Sequence, residues 1–242
     1  VNLVCLNSLI IANQDPPPQQ NILIKMKVTD VIVMTHIENG EVKLPHANQW
    51  RLYNKNVKIH VVVGEDSPKG KRYNWRNSDR VLREWWKQNY ANVGDCIFLA
   101  EWDTFVNTEL PELPDELDLA GAKLIKSEFF GVPRRMADPL WKPENWMWWR
   151  EFEQMGIQDQ KFATGLISFG ALFFKKEILD SVAKPIWDSV YELDIISELR
   201  FSTIASALNY KVGQMELPFV SFDKVDIPMQ KGIHHAVKTA VN

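Results

Sequence analysis

Cysteine is nearly missing from this chain: two residues in 242, Cys5 and Cys96. Two thiols that far apart, one inside an apolar run, do not make a disulfide framework, so both are expected reduced. No uninterrupted apolar stretch reaches the ~18 residues that a membrane-spanning helix needs. Basic residues are not gathered into a run, and the net charge is −3, which removes the usual electrostatic reason to expect DNA or RNA as partner. There is no internal repeat and no low-complexity tract. These absences leave a soluble, cytoplasmic globular protein as the expectation. Val1–Ala12 is largely apolar and reads either as a leading strand or as the remnant of a signal or anchor.

What the chain does have is 45% hydrophobic residues, 24% charged residues and ten tryptophans, enough for a sizeable core. Asp15-Pro16-Pro17-Pro18-Gln19-Gln20 reads as a stiff linker, dividing an N-terminal segment (1–20) from a single larger domain (21–242). Within that domain, Asp30–His36 and Val57–Asp66 read as buried strands that turn polar at their C-terminal ends. Ser78–Tyr90 places Val81, Leu82, Trp85 and Trp86 at helical spacing behind a cap at Ser78 or Asp79. Further strands are expected at Ala122–Lys126, Ser168–Phe174 and Val212–Phe219. Helices are expected over Lys176–Val182 and, in one long piece, over Asp188–Asn209. Strands alternating with helices predict an α/β fold with a mostly parallel central sheet flanked by helices.

The most informative segment is Cys96-Ile97-Phe98-Leu99-Ala100-Glu101-Trp102-Asp103. An apolar run with no alternation reads as a strand buried on both faces, and it ends in two carboxylates spaced i, i+2. Ligands of open α/β sheets bind beyond the carboxyl ends of such strands. Carboxylates held there, Asp103 foremost, suit a hard divalent cation that also grips substrate phosphates. That chemistry points to an enzyme handling a nucleotide diphosphate, and it requires Asp103 to project into an open crevice.

The order of these features resembles a GT-A-type glycosyltransferase, of the nucleotide-diphospho-sugar transferase superfamily. The two early strands resemble that family's nucleotide-binding strands, and Glu101-Trp102-Asp103 resembles its Asp-x-Asp-type motif with Glu in the first position. Thr164-Gly165-Leu166-Ile167-Ser168-Phe169-Gly170-Ala171-Leu172-Phe173-Phe174 resembles its acceptor-side strand. The likeness runs from about Asp30 to Lys238, with a nucleotide-binding half near 30–107 and an acceptor-side half near 120–242, in a Rossmann-like GT-A domain.

The resemblance implies a Mn or Mg ion held by Asp103, with Glu101 on the metal through water or near the ribose. It implies a C-terminal histidine closing over the metal, His235 ahead of His234, and Lys238 on phosphate. Thr35, His36, Gly64, Glu65 and Asp66 would meet the nucleotide at the strand tips, as would Trp102, with Arg76 and Arg80 able to pair phosphate. The acceptor's proton would go to Glu198, or to Asp194 one helical turn earlier. Glu198 and Arg200 are equally what an ordinary solvated helix face carries. Trp141, Trp146, Trp148 and Trp149 form either an acceptor platform or a packed flap. The partners implied are a UDP- or GDP-linked sugar donor and a glycan or other hydroxyl acceptor. A sugar nucleotidyltransferase and a non-catalytic nucleotide- or glycan-binding domain share the same sheet. The former usually carries a glycine-rich basic loop after its first strand, where this chain has His36-Ile37-Glu38-Asn39-Gly40.

Overall fold

The computed structural model of the chain describes residues 25–44, 46–64, 76–126, 147–217 and 231–235. In chain order the strands are β1 (Lys25–Met26), β2 (Asp30–Thr35), β3 (Ile37–Glu38), β4 (Glu41–Val42), β5 (Lys58–Val63), β6 (Cys96–Glu101) and β7 (Phe105–Val106). They continue as β8 (Leu113–Pro114), β9 (Leu119–Gly121), β10 (Lys123–Lys126), β11 (Thr164–Ile167), β12 (Ala171–Lys175), β13 (Val212–Gln214) and β14 (Ile233–His234). The helices are α1 (Ala47–Tyr53), α2 (Ser78–Asn89), α3 (Met147–Gln154), α4 (Lys176–Val182), α5 (Asp188–Tyr191) and α6 (Ser197–Ala207).

Six strands form the central sheet in the order β13-β9-β12-β6-β2-β5. β2 runs parallel to both β5 and β6, and β13 runs parallel to β9. β12 is the one reversed strand, antiparallel to β6 on one side and β9 on the other. The fold is therefore α/β with a mostly parallel sheet, four of its strands coming from residues 30–121 and two from residues 171–214. Every residue of β2 and β6 is buried, the burial that their unbroken apolar runs demand. Alternate residues enter two cores, one on each face. Ile32, Ile97, Leu99 and Phe174 pack with Leu82, Trp86, Leu199 and Ile204 of the helices. Val31, Val33, Phe98, Ala100 and Phe173 pack with Trp50.

Register decides what meets at the sheet's C-terminal edge. Met34 pairs with Glu101 across β2 and β6, and Thr35 pairs with Val63 across β2 and β5. The reversed β12 starts where β6 ends, Ala171 opposite Ala100. The tips of β2, β5 and β6 and the first turn of β12 thus arrive at one place.

Several expectations need correction. β5 ends at Val63 and is an edge strand, with only Val62 fully buried, because a single neighbour covers it. Glu65 and Asp66 lie outside the described residues. The helix expected over 188–209 is broken into α5 and α6. Leu193, Ile195 and Ile196 keep facing the core through the break, so apolar periodicity does not register it. The backbone freed there is satisfied by side chains: Ile196 N–H donates to Glu151 Oε2 at 2.9 Å, and Arg200 Nη1 donates to the Leu193 carbonyl at 2.8 Å. The N-cap of α2 is Asn77, not Ser78 or Asp79. The strand read as Ser168–Phe174 is β12, starting at Ala171 after a turn in which Ala171 N–H donates to the Ser168 carbonyl at 3.0 Å. The strand expected over 212–219 is β13, Val212–Gln214, and residues 218 and 219 lie outside the described residues.

Cys96 is a free, buried thiol, and its burial pushes the pKa up to about 12, which keeps it protonated and unreactive at neutral pH. Cys5, the leading apolar segment and the proline-rich linker lie outside the described residues. Among the described residues no helix is long and apolar enough to cross a membrane.

Candidate metal centre

Glu101 is the last residue of β6, and the chain turns immediately after it. Thr104 N–H donates to the Glu101 carbonyl at 2.9 Å. The Thr104 hydroxyl accepts from Glu101 N–H at 3.1 Å and donates to the Gly170 carbonyl at 2.9 Å. Trp50 Nε1–H donates to the Thr104 carbonyl at 3.0 Å from α1. The turn bearing Trp102 and Asp103 is therefore fixed by main-chain and side-chain bonds from three directions.

The strand that follows, β7, pairs antiparallel with β14, His234 opposite Phe105. Gly232 N–H donates to Asn107 Oδ1 at 2.7 Å, and Asn107 N–H returns to the Gly232 carbonyl at 3.2 Å. The two histidines part here, His234 closing β14 and His235 following just past its end. His234 is buried against the Phe105 ring, centroids 6.0 Å apart. His235 swings to the carboxylates: its Nε2 lies 2.7 Å from Glu101 Oε2 and 3.2 Å from Asp103 Oδ1.

Glu101, Asp103 and His235 offer one ligand atom each, all within 4.8 Å of one another. Two carboxylate oxygens and an imidazole nitrogen form a donor set that suits Mn and accepts Mg. The residues present thus fit a divalent cation. The expected openness is not found: Asp103 is only 3% exposed, with His235, just past the end of β14, 3.2 Å from it.

Burial alone would lower the His235 pKa, but its hydrogen bonds to Asp103 and Glu101 and their charges outweigh that and push it up to about 10. At neutral pH an imidazolium therefore holds the two carboxylates together. Its contribution to stability is fully present below the ordinary value of 6.5 and is lost as pH rises through about 10. A cation must displace that proton. Titration of Mn into the protein is expected to release about one proton per ion, read from heats in buffers of different ionisation enthalpy, with affinity rising as pH climbs toward 10. Uptake of a proton, or affinity flat between pH 6 and 9, would contradict this.

Glu198 sits in the first turn of α6. Burial first, then the Glu101 charge, pushes its carboxyl up to about 8, while His235 opposes the rise. It therefore shares the electrostatic field of the cluster and stands near the pH where proton exchange is easiest. The start of α6 is pinned to α2 by Asp79, whose Oδ2 accepts from Arg200 Nε at 2.8 Å and whose Oδ1 accepts from Ser197 Oγ at 3.0 Å. Both charged side chains of this pair are fully buried. Arg200 is thus a core residue, not a solvated one.

The remaining sequence-derived candidates fall as follows. Asp194 lies in the break before α6, exposed, accepting from Asn77 Nδ2 at 3.1 Å, so it does not share a helix face with Glu198. Arg76 is engaged with Glu151 at 2.5 Å and Arg80 with Glu192 at 2.9 Å. Thr35 is buried with its hydroxyl on the Lys43 carbonyl, and Gly64 N–H donates to the Thr35 carbonyl at 2.8 Å. The His36 ring meets the Trp102 ring edge-on, centroids 5.0 Å apart, which joins the β2 tip to the acidic turn. Lys238, Trp141 and Trp146 lie outside the described residues, while Trp148 and Trp149 fall in α3.

Sequence reasoning assigned no role to Gly170 or Ser168. A Cβ at Gly170 would come within 2.8 Å of Glu101 Cγ and 3.0 Å of its Oε2. Gly170→Ala is expected to push Glu101 off His235, costing about 1–3 kcal/mol by overpacking and weakening Mn binding in parallel. Chemical denaturation and Mn titration of the variant test this, and unchanged values of both would refute it. The sequence-level signal was their place in the 164–174 segment likened to an acceptor-side strand, with no role given to either residue singly. No protein-family model matches the sequence, and no curated protein matches it.

Proposed function

We propose that this chain is a metal-dependent glycosyltransferase with a Rossmann-like GT-A domain. It would move a sugar from a nucleotide-diphosphate donor, UDP- or GDP-linked, to a hydroxyl acceptor such as a glycan. The observation that carries this reading is the convergence of Glu101, Asp103 and His235 within 4.8 Å at the end of β6, beside the tips of β2 and β5.

Asp103 and His235 would hold a divalent cation, with Glu101 completing the set or orienting a water, and the ion would supply positive charge against that developing on the leaving diphosphate. Thr35, His36, Gly64 and Trp102 belong to the same edge, where the nucleoside would be received. In the transfer the acceptor oxygen bonds to the anomeric carbon, the bond from that carbon to the diphosphate breaks, and its electron pair leaves with the diphosphate. Glu198 takes the acceptor's hydroxyl proton, a task for which its raised pKa fits it.

A second reading has its own observation. His235 already balances the two carboxylates, and the cluster is nearly closed to solvent, which suits a nucleotide- or glycan-binding domain without turnover. The nucleotidyltransferase reading gains no residue: β2 is followed by the β3–β4 hairpin, which carries Glu38 and Glu41 in place of basic side chains. Calorimetric titration with UDP and with GDP, each with and without Mn, separates these readings. Metal-dependent binding together with slow donor hydrolysis supports the transferase. Binding with no turnover of any donor supports the second reading, and binding indifferent to metal contradicts both the ion and the transfer.

A further inference from the structure

We propose that Ser168 is a positioning residue that decides which nitrogen His235 presents to the Glu101–Asp103 pair, and thereby sets the cation affinity of the cluster. This rests on the metal reading above and assigns a role to a residue that touches neither the cation nor the substrate.

The imidazole has two distinct nitrogens, and each faces a different part of the protein. Nε2 faces the carboxylates, 2.7 Å from Glu101 Oε2 and 3.2 Å from Asp103 Oδ1. Nδ1 faces Ser168 Oγ at 3.4 Å. A neutral imidazole can bind a cation through Nε2 only when its remaining proton sits on Nδ1, and that proton is best held by an acceptor where the ring, like that of half-buried His235, is largely withdrawn from water. Ser168 Oγ is placed to be that acceptor. A hydroxyl has two acceptor lone pairs: Gly170 N–H takes one at 3.3 Å, and the other is available to Nδ1–H.

The mounting of Ser168 supports this role. The residue is 5% exposed, so solvent cannot readily take over as acceptor. It lies in the short turn between β11 and β12, closed by Ala171 N–H on the Ser168 carbonyl at 3.0 Å. The same turn carries Gly170, whose missing side chain leaves room for Glu101. One turn therefore seats a carboxylate of the cluster and sets the proton on its imidazole. Partners of this outer kind typically change metal affinity by 10–100-fold when removed.

The experiment compares wild type, Ser168→Ala and Ser168→Thr by Mn titration without nucleotide. It is paired with long-range 1H–15N NMR of the His235 ring in Mg-saturated protein, since Mg is diamagnetic. Wild type is expected to carry its ring proton on Nδ1. Ser168→Ala, with circular dichroism unchanged, is expected to bind Mn about 10–100-fold more weakly and to shift the ring toward the Nε2–H form. Ser168→Thr retains the hydroxyl and is expected to restore both readings. If wild type binds Mn while Ser168→Ala binds equally well with the same ring proton, the role of Ser168 is overturned and the metal centre stands. If wild type itself binds no Mn, the metal centre falls and this inference falls with it.

Discussion

Asp103→Ala is expected to weaken Mn-dependent binding of UDP or GDP by at least about a hundredfold, the upper end of what even outer-shell partners cost. The carboxylate is one of two in the cluster, so its loss removes half of the negative charge that would hold the ion. The fold is expected to survive. The turn is held by Thr104, Gly170 and Trp50 through bonds that do not involve the Asp103 side chain. His235 also keeps its shorter contact, 2.7 Å to Glu101, when the 3.2 Å contact to Asp103 goes. The stability cost should be about 1–3 kcal/mol, that of one lost buried hydrogen bond. Calorimetry with and without Mn, set beside thermal unfolding, measures both effects. Retained metal-dependent binding in this variant would remove Asp103 from the centre.

Glu198→Gln is expected to lower kcat about 10²–10⁴-fold, the usual contribution of a positioned proton acceptor, with donor affinity unchanged. The variant keeps size and polarity, so a structural effect should be small. The pH dependence gives a second reading. Only the ionised carboxyl accepts a proton, so wild-type turnover rises as pH climbs through the Glu198 pKa, which is about 8 without metal. A bound cation offsets the Glu101 charge that helps to raise this value, so the rise in turnover should lie at lower pH in the loaded protein. The variant loses this limb altogether. Linkage gives the matching stability effect: a carboxyl raised from 4.5 to about 8 binds its proton more tightly when folded. The stability this supplies is present at low pH and lost as pH rises through about 8. Above that pH the Gln variant should be the more heat-resistant protein. Unaltered kcat would return the base role to another group or to none.

Much of the scaffold could be read directly from residue pattern, for a definite reason. β2, β6 and α4 bury continuous or strictly periodic apolar sets, and α4 runs over the very residues expected, Lys176–Val182. Elements whose burial depends on distant partners were harder. The break between α5 and α6 leaves the apolar period intact, and it is satisfied by Glu151 and Arg200, which no local pattern reveals. Arg200 resembled a solvated charge because its partner Asp79 lies 121 positions earlier. β5 looked fully buried because Val61, Val62 and Val63 are all apolar, whereas its place at the sheet edge leaves Val61 and Val63 exposed.

The candidate site divides along the same line. Glu101 and Asp103 stood out because an unbroken apolar run ends in them, at the strand end beyond which open sheets bind ligands. The preference for His235 over His234 agrees with the structure, while the β7–β14 pairing that brings the C-terminal segment there, across more than a hundred positions, has no local signal. Glycine at 170 and serine at 168 gain meaning only once the reversed β12 brings their turn to the end of β6. The burial of Asp103, with His235 3.2 Å from it, is likewise something an acid at a strand tip does not announce.

A crystal grown with Mn and UDP, measured at the manganese absorption edge, tests the metal centre most directly. One anomalous peak is expected in coordination range of Asp103 Oδ1, His235 Nε2 and the diphosphate, with His235 drawn off its 2.7 Å contact to Glu101. Ordered nucleotide with no anomalous signal there, and His235 still bonded to both carboxylates, would contradict a metal-dependent transferase built on these residues.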